Sequence, residues 1–87
     1  MKLLYEFVPR TIVGDHFLVP TGDAARRYPG LFTLNATANF LWSNLETADS
    51  PQALARLLWS EFEVDRETAL ADTEEFLRLL RSMDILN

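Results

Sequence analysis

The chain has 87 residues, 48% of them hydrophobic and 11% aromatic, with no cysteine and a formal net charge of −5 from 13 acidic and 8 basic residues. A chain of this length buries roughly 60–65% of its unfolded surface, enough for one modest core, and without cysteine that core is held by packing alone, with no disulfide, thiolate nucleophile or cysteine-ligated metal. The acidic balance disfavours nucleic acid, where phosphate contacts supply most of the affinity. Charge interrupts Met1–Glu6 too early for a signal peptide, and no apolar run approaches the ~18–20 residues of a membrane span. The expectation is one cytoplasmic domain covering residues 1–87, with no membrane or nucleic-acid partner.

In chain order, Thr11-Ile12-Val13 reads as a first strand, Gly14-Asp15 as a tight turn, and His16-Phe17-Leu18-Val19 as a second strand ended by Pro20 and Thr21-Gly22-Asp23. The stretch that follows, with the basic pair Arg26-Arg27 and closing on Pro29-Gly30, reads as an irregular connection. Leu31-Phe32-Thr33-Leu34 is a third short strand. From Asn35 the period becomes helical. Asn35 suits an N-cap, and Ala38, Leu41, Trp42 and Leu45 form one apolar stripe. Ser50-Pro51 caps a second helix with Leu54, Leu57, Leu58 and Phe62 on its stripe. Asp65 caps a third helix running to about Met83, with Ala69, Phe76, Leu77 and Leu80 inward and Val64 and Ala69 placed as a hydrophobic staple. Strands followed by helices give an α+β class: a three-stranded antiparallel sheet, then three helices.

No residue pattern supports catalysis. His16 is the sole histidine and has no evident partner, and the densest carboxylate group, Glu61, Glu63, Asp65 and Glu67, lacks the glycine turn and alternating ligands of a calcium loop. No phosphate loop, nucleophile elbow or zinc-helix motif occurs. Neither a catalytic residue, a metal site nor a cofactor is expected. Trp42 and Trp59 read as core or boundary residues before they read as a stacking platform. Two apolar residues fall off the stripes: Phe40, opposite its helix's core face, and Leu79, roughly 100° from the centre of the third helix's core face.

Leu34-Asn35, Thr37-Ala38, Leu41-Trp42, Leu54, Leu58, Phe62, Val64-Asp65, Ala69, Asp72, Phe76-Leu77, Leu80 and Ile85-Leu86 together resemble the pyrroloquinoline quinone biosynthesis protein D (PqqD-like) family. The Val13-Gly14 turn, Val19-Pro20, Gly22 and Ala24-Ala25 extend the likeness toward the N-terminus. Two positions depart from it: Asp84, where many relatives carry glycine, and Leu79, where a polar residue is common. The left-handed conformation that a helix-ending glycine adopts is tolerated by aspartate.

The resemblance implies a winged helix-turn-helix-like fold and a function. Such domains are recognition elements for ribosomally made, post-translationally modified peptides. They bind the leader of a precursor peptide as an added strand beside the third strand, in a groove closed by the third helix. Here the edge would be Leu31, Phe32, Thr33 and Leu34, with Phe32 and Leu34 toward the core. Asp72, Phe76 and Leu79 would supply an apolar wall with an acidic end, and Leu70, Glu74, Arg78 and Arg81 form the competing flank. The implied partners are a leader peptide and a modifying enzyme such as a radical SAM enzyme, cyclase or protease. The alternative is a winged-helix DNA-binding transcriptional regulator, for which the second helix offers Arg56 alone against Glu61 and Glu63.

Overall fold

In the computed structural model, which describes residues 1–87, β1 (Phe7–Ile12) and β2 (Asp15–Pro20) make a hairpin. A short helix α1 (Asp23–Arg27) leads to β3 (Phe32–Leu34), and α2 (Ala36–Asn44), α3 (Pro51–Glu61) and α4 (Arg66–Ser82) follow. The sheet is antiparallel in the order β1-β2-β3. This is the α+β, winged helix-turn-helix-like arrangement, with a fourth, five-residue helix in the stretch read as irregular. No helix is long and apolar enough to cross a membrane.

Local chemistry sets the boundaries. Asn35 accepts a hydrogen bond from the Ala38 N–H at 2.8 Å, Ser50 from the Ala53 N–H at 3.1 Å, and Asp65 from the Thr68 N–H at 2.7 Å. Each satisfies an orphan donor in the first turn of its helix, and Pro51 stands at a helix start where a missing N–H costs little. Hydrogen bonds from the Thr68 backbone and side chain also hold the Asp65 carboxyl below the ordinary carboxylate range. Asp84 follows α4 at φ 59, in the left-handed region that favours glycine and that aspartate tolerates.

The first strand begins four residues earlier than the pattern predicts and stops short of Val13, which lies in the turn at φ 50 beside Gly14 at φ 82. Pro9 masks the early part, since proline normally argues against a strand. One core joins the sheet to the helices: Phe7 and Leu18 meet Leu41, Trp42, Leu45, Leu54, Leu58, Leu77, Leu80, Ile85 and Leu86 in a single buried cluster. The Phe7 ring lies edge-on to Trp42 at 5.8 Å. Phe40 is half-buried, its ring edge-on to Phe62 at 5.4 Å, so the residue that fell off its helix's stripe is covered from a second side.

Candidate functional site

The sheet has two margins, and hydrogen-bond alternation shows what each presents. A two-residue turn closes on a bonded pair, here Ile12 with Asp15, so Arg10–Phe17 and Val8–Val19 are the next bonded pairs of the hairpin. His16 and Leu18 direct their main-chain groups the other way, to Leu34 and Phe32. The outer margin of β1 therefore consists of Phe7, Pro9 and Thr11, and Pro9 has no N–H to offer. The outer margin of β3 consists of Leu31 and Thr33, each with a free N–H and C=O, and no turn, cap or loop bond uses them. The N-terminal segment does not cover this margin: Leu3 bridges to Leu86 at the C-terminal end. An extended chain can add to β3, whereas Pro9 blunts β1.

Directly after β3 the chain enters α2, and beside its first turns lies an open cavity of about 350 Å³. Asn35, Thr37, Ala38 and Leu41 line it from α2, and Asp72, Glu75, Phe76 and Leu79 from α4. Phe76 is buried and makes an apolar floor; Leu79 is 54% exposed and forms the rim. Asp72 and Glu75 give it an acidic end, for the two ion pairs of the molecule, Arg26–Asp23 and Arg27–Asp84, involve neither.

The structure thus brings Asp72, Phe76 and Leu79 into one cavity. Leu31, Phe32, Thr33 and Leu34 do not line it; Phe32–Leu34 form the strand that ends at its mouth, and Leu31, expected in that strand, precedes it. Phe32 and Leu34 are half-buried against the core, while Leu31, at 53%, and Thr33 are exposed, as alternation requires. Asn35, Thr37 and Glu75 line the cavity without being expected to, as do Ala38 and Leu41, which the sequence places on the core stripe of their helix. Their one sequence signal was position, since Asn35 and Thr37 start a helix immediately after an edge strand. The competing flank faces elsewhere: Glu74, Arg78 and Arg81 border a cavity of about 200 Å³ with Pro51, at the start of α3.

Comparison with known proteins accords with this arrangement. The family description of coenzyme PQQ synthesis protein D (PqqD) matches residues 16–86. A solved structure of TbiB1 in complex with the TbiA(beta) leader peptide is similar over 100% of this chain and 95% of that one, with 28% sequence identity and a TM-score of 0.73. Among curated proteins nothing matches. The match covers β2 from His16 onward, β3 and all four helices, so both walls of the cavity and the strand beside it fall within it. The chain belongs to the family of coenzyme PQQ synthesis protein D.

Proposed function

We propose that this chain is a non-catalytic recognition domain that captures the leader of a ribosomally made precursor peptide as a fourth strand beside β3. The observation that carries the reading is the free margin of β3 next to a cavity with an apolar floor and rim. A leader in extended form pairs its backbone with Leu31 and Thr33. Its side chains on the core side then drop against Phe76 and Leu79. Asp72 and Glu75 favour a Lys or Arg at that end of the leader and repel an acidic one. TbiB1, solved with a leader peptide, supports the same use of this fold.

Catalysis belongs to a partner: a peptide-modifying enzyme such as a radical SAM enzyme, cyclase or protease. Holding the leader beside that enzyme raises the local concentration of the segment to be modified to roughly the millimolar range when tethers are short. The isolated domain binds peptide and leaves it chemically unchanged. Titration with the cognate leader tests the placement. Burying a leucine side chain contributes roughly 1.5–3 kcal/mol, so Leu79→Glu, which removes that contact and adds a charge, lowers affinity roughly tenfold or more. Leu31→Arg, immediately before the strand, weakens binding in the same direction. Undiminished affinity in both variants rules the groove out.

A further inference from the structure

The two ends of the groove differ in chemistry, and the placement of α4 along β3 says which end is which. The Tyr28 hydroxyl donates to the Met83 carbonyl, Arg27 pairs with Asp84 at 2.6 Å, and the Tyr28 ring centroid lies 6.0 Å from that of Phe32. The C-terminal end of α4 is therefore anchored at the start of β3. Asp72 stands three turns, about 16 Å, back along the helix from Met83. It lines the cavity together with Asn35, the residue that follows β3. Leu79 thus flanks the groove nearer the start of β3, and Asp72 and Glu75 flank it nearer the end. Both carboxylates are exposed and lie one turn apart on the same helix. No cation lines this cavity, and Arg78, one turn on from Glu75, borders the cavity of the other flank and forms no ion pair with it.

Every pairing in the sheet is antiparallel, the sense that is more stable per residue. A leader added to β3 in that sense enters at the end of β3, beside the carboxylates, and leaves past Leu79. Along α4, Leu79 lies about 6 Å beyond Glu75 and about 10 Å beyond Asp72. An extended strand turns alternate side chains to one face, about 7 Å apart. We infer that the domain selects leaders with a Lys or Arg two residues before the apolar side chain that rests on Leu79: basic, any residue, apolar, in that order. This rests on the leader-capture reading and adds to it the order and spacing of the residues read. One step upstream of the apolar anchor on the same face, a cation meets Glu75, and a long basic side chain reaches on toward Asp72. One step downstream, the same cation runs toward Arg27, whose charge Asp84 already partners.

The test uses the full chain and synthetic peptides carrying the leader of the precursor encoded beside its gene. An alanine scan of the leader against the wild type and Leu79→Ala finds the anchor, the position whose truncation costs less affinity in the variant. Each leader position is then occupied in turn by Lys and by Glu, and titrated into the wild type and Asp72→Asn/Glu75→Gln. The expected result is one position, two residues before the anchor, at which Lys binds roughly fivefold to tenfold more tightly than Glu. That preference shrinks as salt rises and disappears in the double variant. Because the substitutions on the leader leave the domain untouched, the comparison does not depend on how the variants fold. A Lys preference equal at every position is general attraction to an acidic protein and overturns the inference. So does a preference found after the anchor, or one that persists in the double variant. A leader that binds through Leu79 with no preference for charge overturns this inference alone, whereas a leader that does not bind the wild type at all overturns the capture reading beneath it.

Discussion

Thr73 is a polar side chain at the centre of α4's packed face, fully buried, and its hydroxyl has no hydrogen-bond partner in the protein. Burying such a group unpaired costs about 1–3 kcal/mol, and replacing it with an apolar group of the same shape removes that cost. Thr73→Val should therefore raise stability by about 1 kcal/mol, which for a domain of this length raises the Tm by roughly 4–8 °C. A thermal melt followed by circular dichroism reads the change; a lower Tm would mean that the hydroxyl finds a partner after all. Thr73 was invisible to periodicity because threonine is not counted as core, although it stands one turn from Ala69, Leu77 and Phe76. The reverse holds for Leu79. An apolar residue off the stripe is what a period count detects, and the structure leaves it half-exposed on the cavity rim. Glu75 was unreadable, since an exposed helical carboxylate looks alike wherever it points. Val13 reads as strand because β-branched residues favour strands, yet the valine takes a left-handed turn position.

At the scale of the element, the two margins of the sheet give opposite expectations for proline. Pro9 is tolerated in β1 because its nitrogen faces outward, away from β2. Thr33 occupies the equivalent outward position of β3, whereas Phe32 bonds to Leu18. Thr33→Pro should thus fold with little loss of stability but remove a main-chain donor from the leader site. One such bond contributes about 0.5–1.5 kcal/mol, and the ring also obstructs the incoming strand, so leader affinity falls roughly tenfold or more. Phe32→Pro breaks the ladder to β2 and lowers the melting temperature itself. Melts and leader titrations of the two variants separate these effects; a Thr33→Pro protein that binds leader as well as the wild type contradicts strand addition at β3. The starts of the three long helices are legible because Asn35, Ser50 and Asp65 are local signals that act through their own first turns; the end of α3 is less so, since it stops at Glu61 and leaves Phe62, read on its stripe, extended. Helix α1 was not, because five residues show no period and Thr21-Gly22-Asp23 reads as a turn. What fixes α1 is tertiary: Ala24 is buried, and Arg27 donates to the Tyr5 hydroxyl at 2.9 Å and to Asp84 at 2.6 Å.

Across the whole molecule, residues distant in sequence close the structure on itself. The Leu4 N–H bonds the Ile85 carbonyl at 2.8 Å, the Asn87 N–H bonds the Lys2 carbonyl at 3.1 Å, and the Tyr28 hydroxyl donates to the Met83 carbonyl. Ile85 and Leu86 are buried in the same cluster as Phe7, Leu18 and Trp42. The segment after α4 is therefore part of the core that joins sheet to helices. Leu86→Ala should cost about 2–5 kcal/mol, as large-to-small core substitutions do, and the loss should fall on sheet and helices together. The check is urea unfolding in a Trp59→Phe background, so that the remaining tryptophan, Trp42, reports the sheet–helix contact while far-ultraviolet dichroism reports the helices. Both signals, and leader binding with them, should move to the same lower midpoint, because the site takes its strand from the sheet and its wall from α4. If the Trp42 signal collapsed well before the helical one, the two halves would be separable units. The free margin of β3 would then lack the fixed partner that makes it a binding groove.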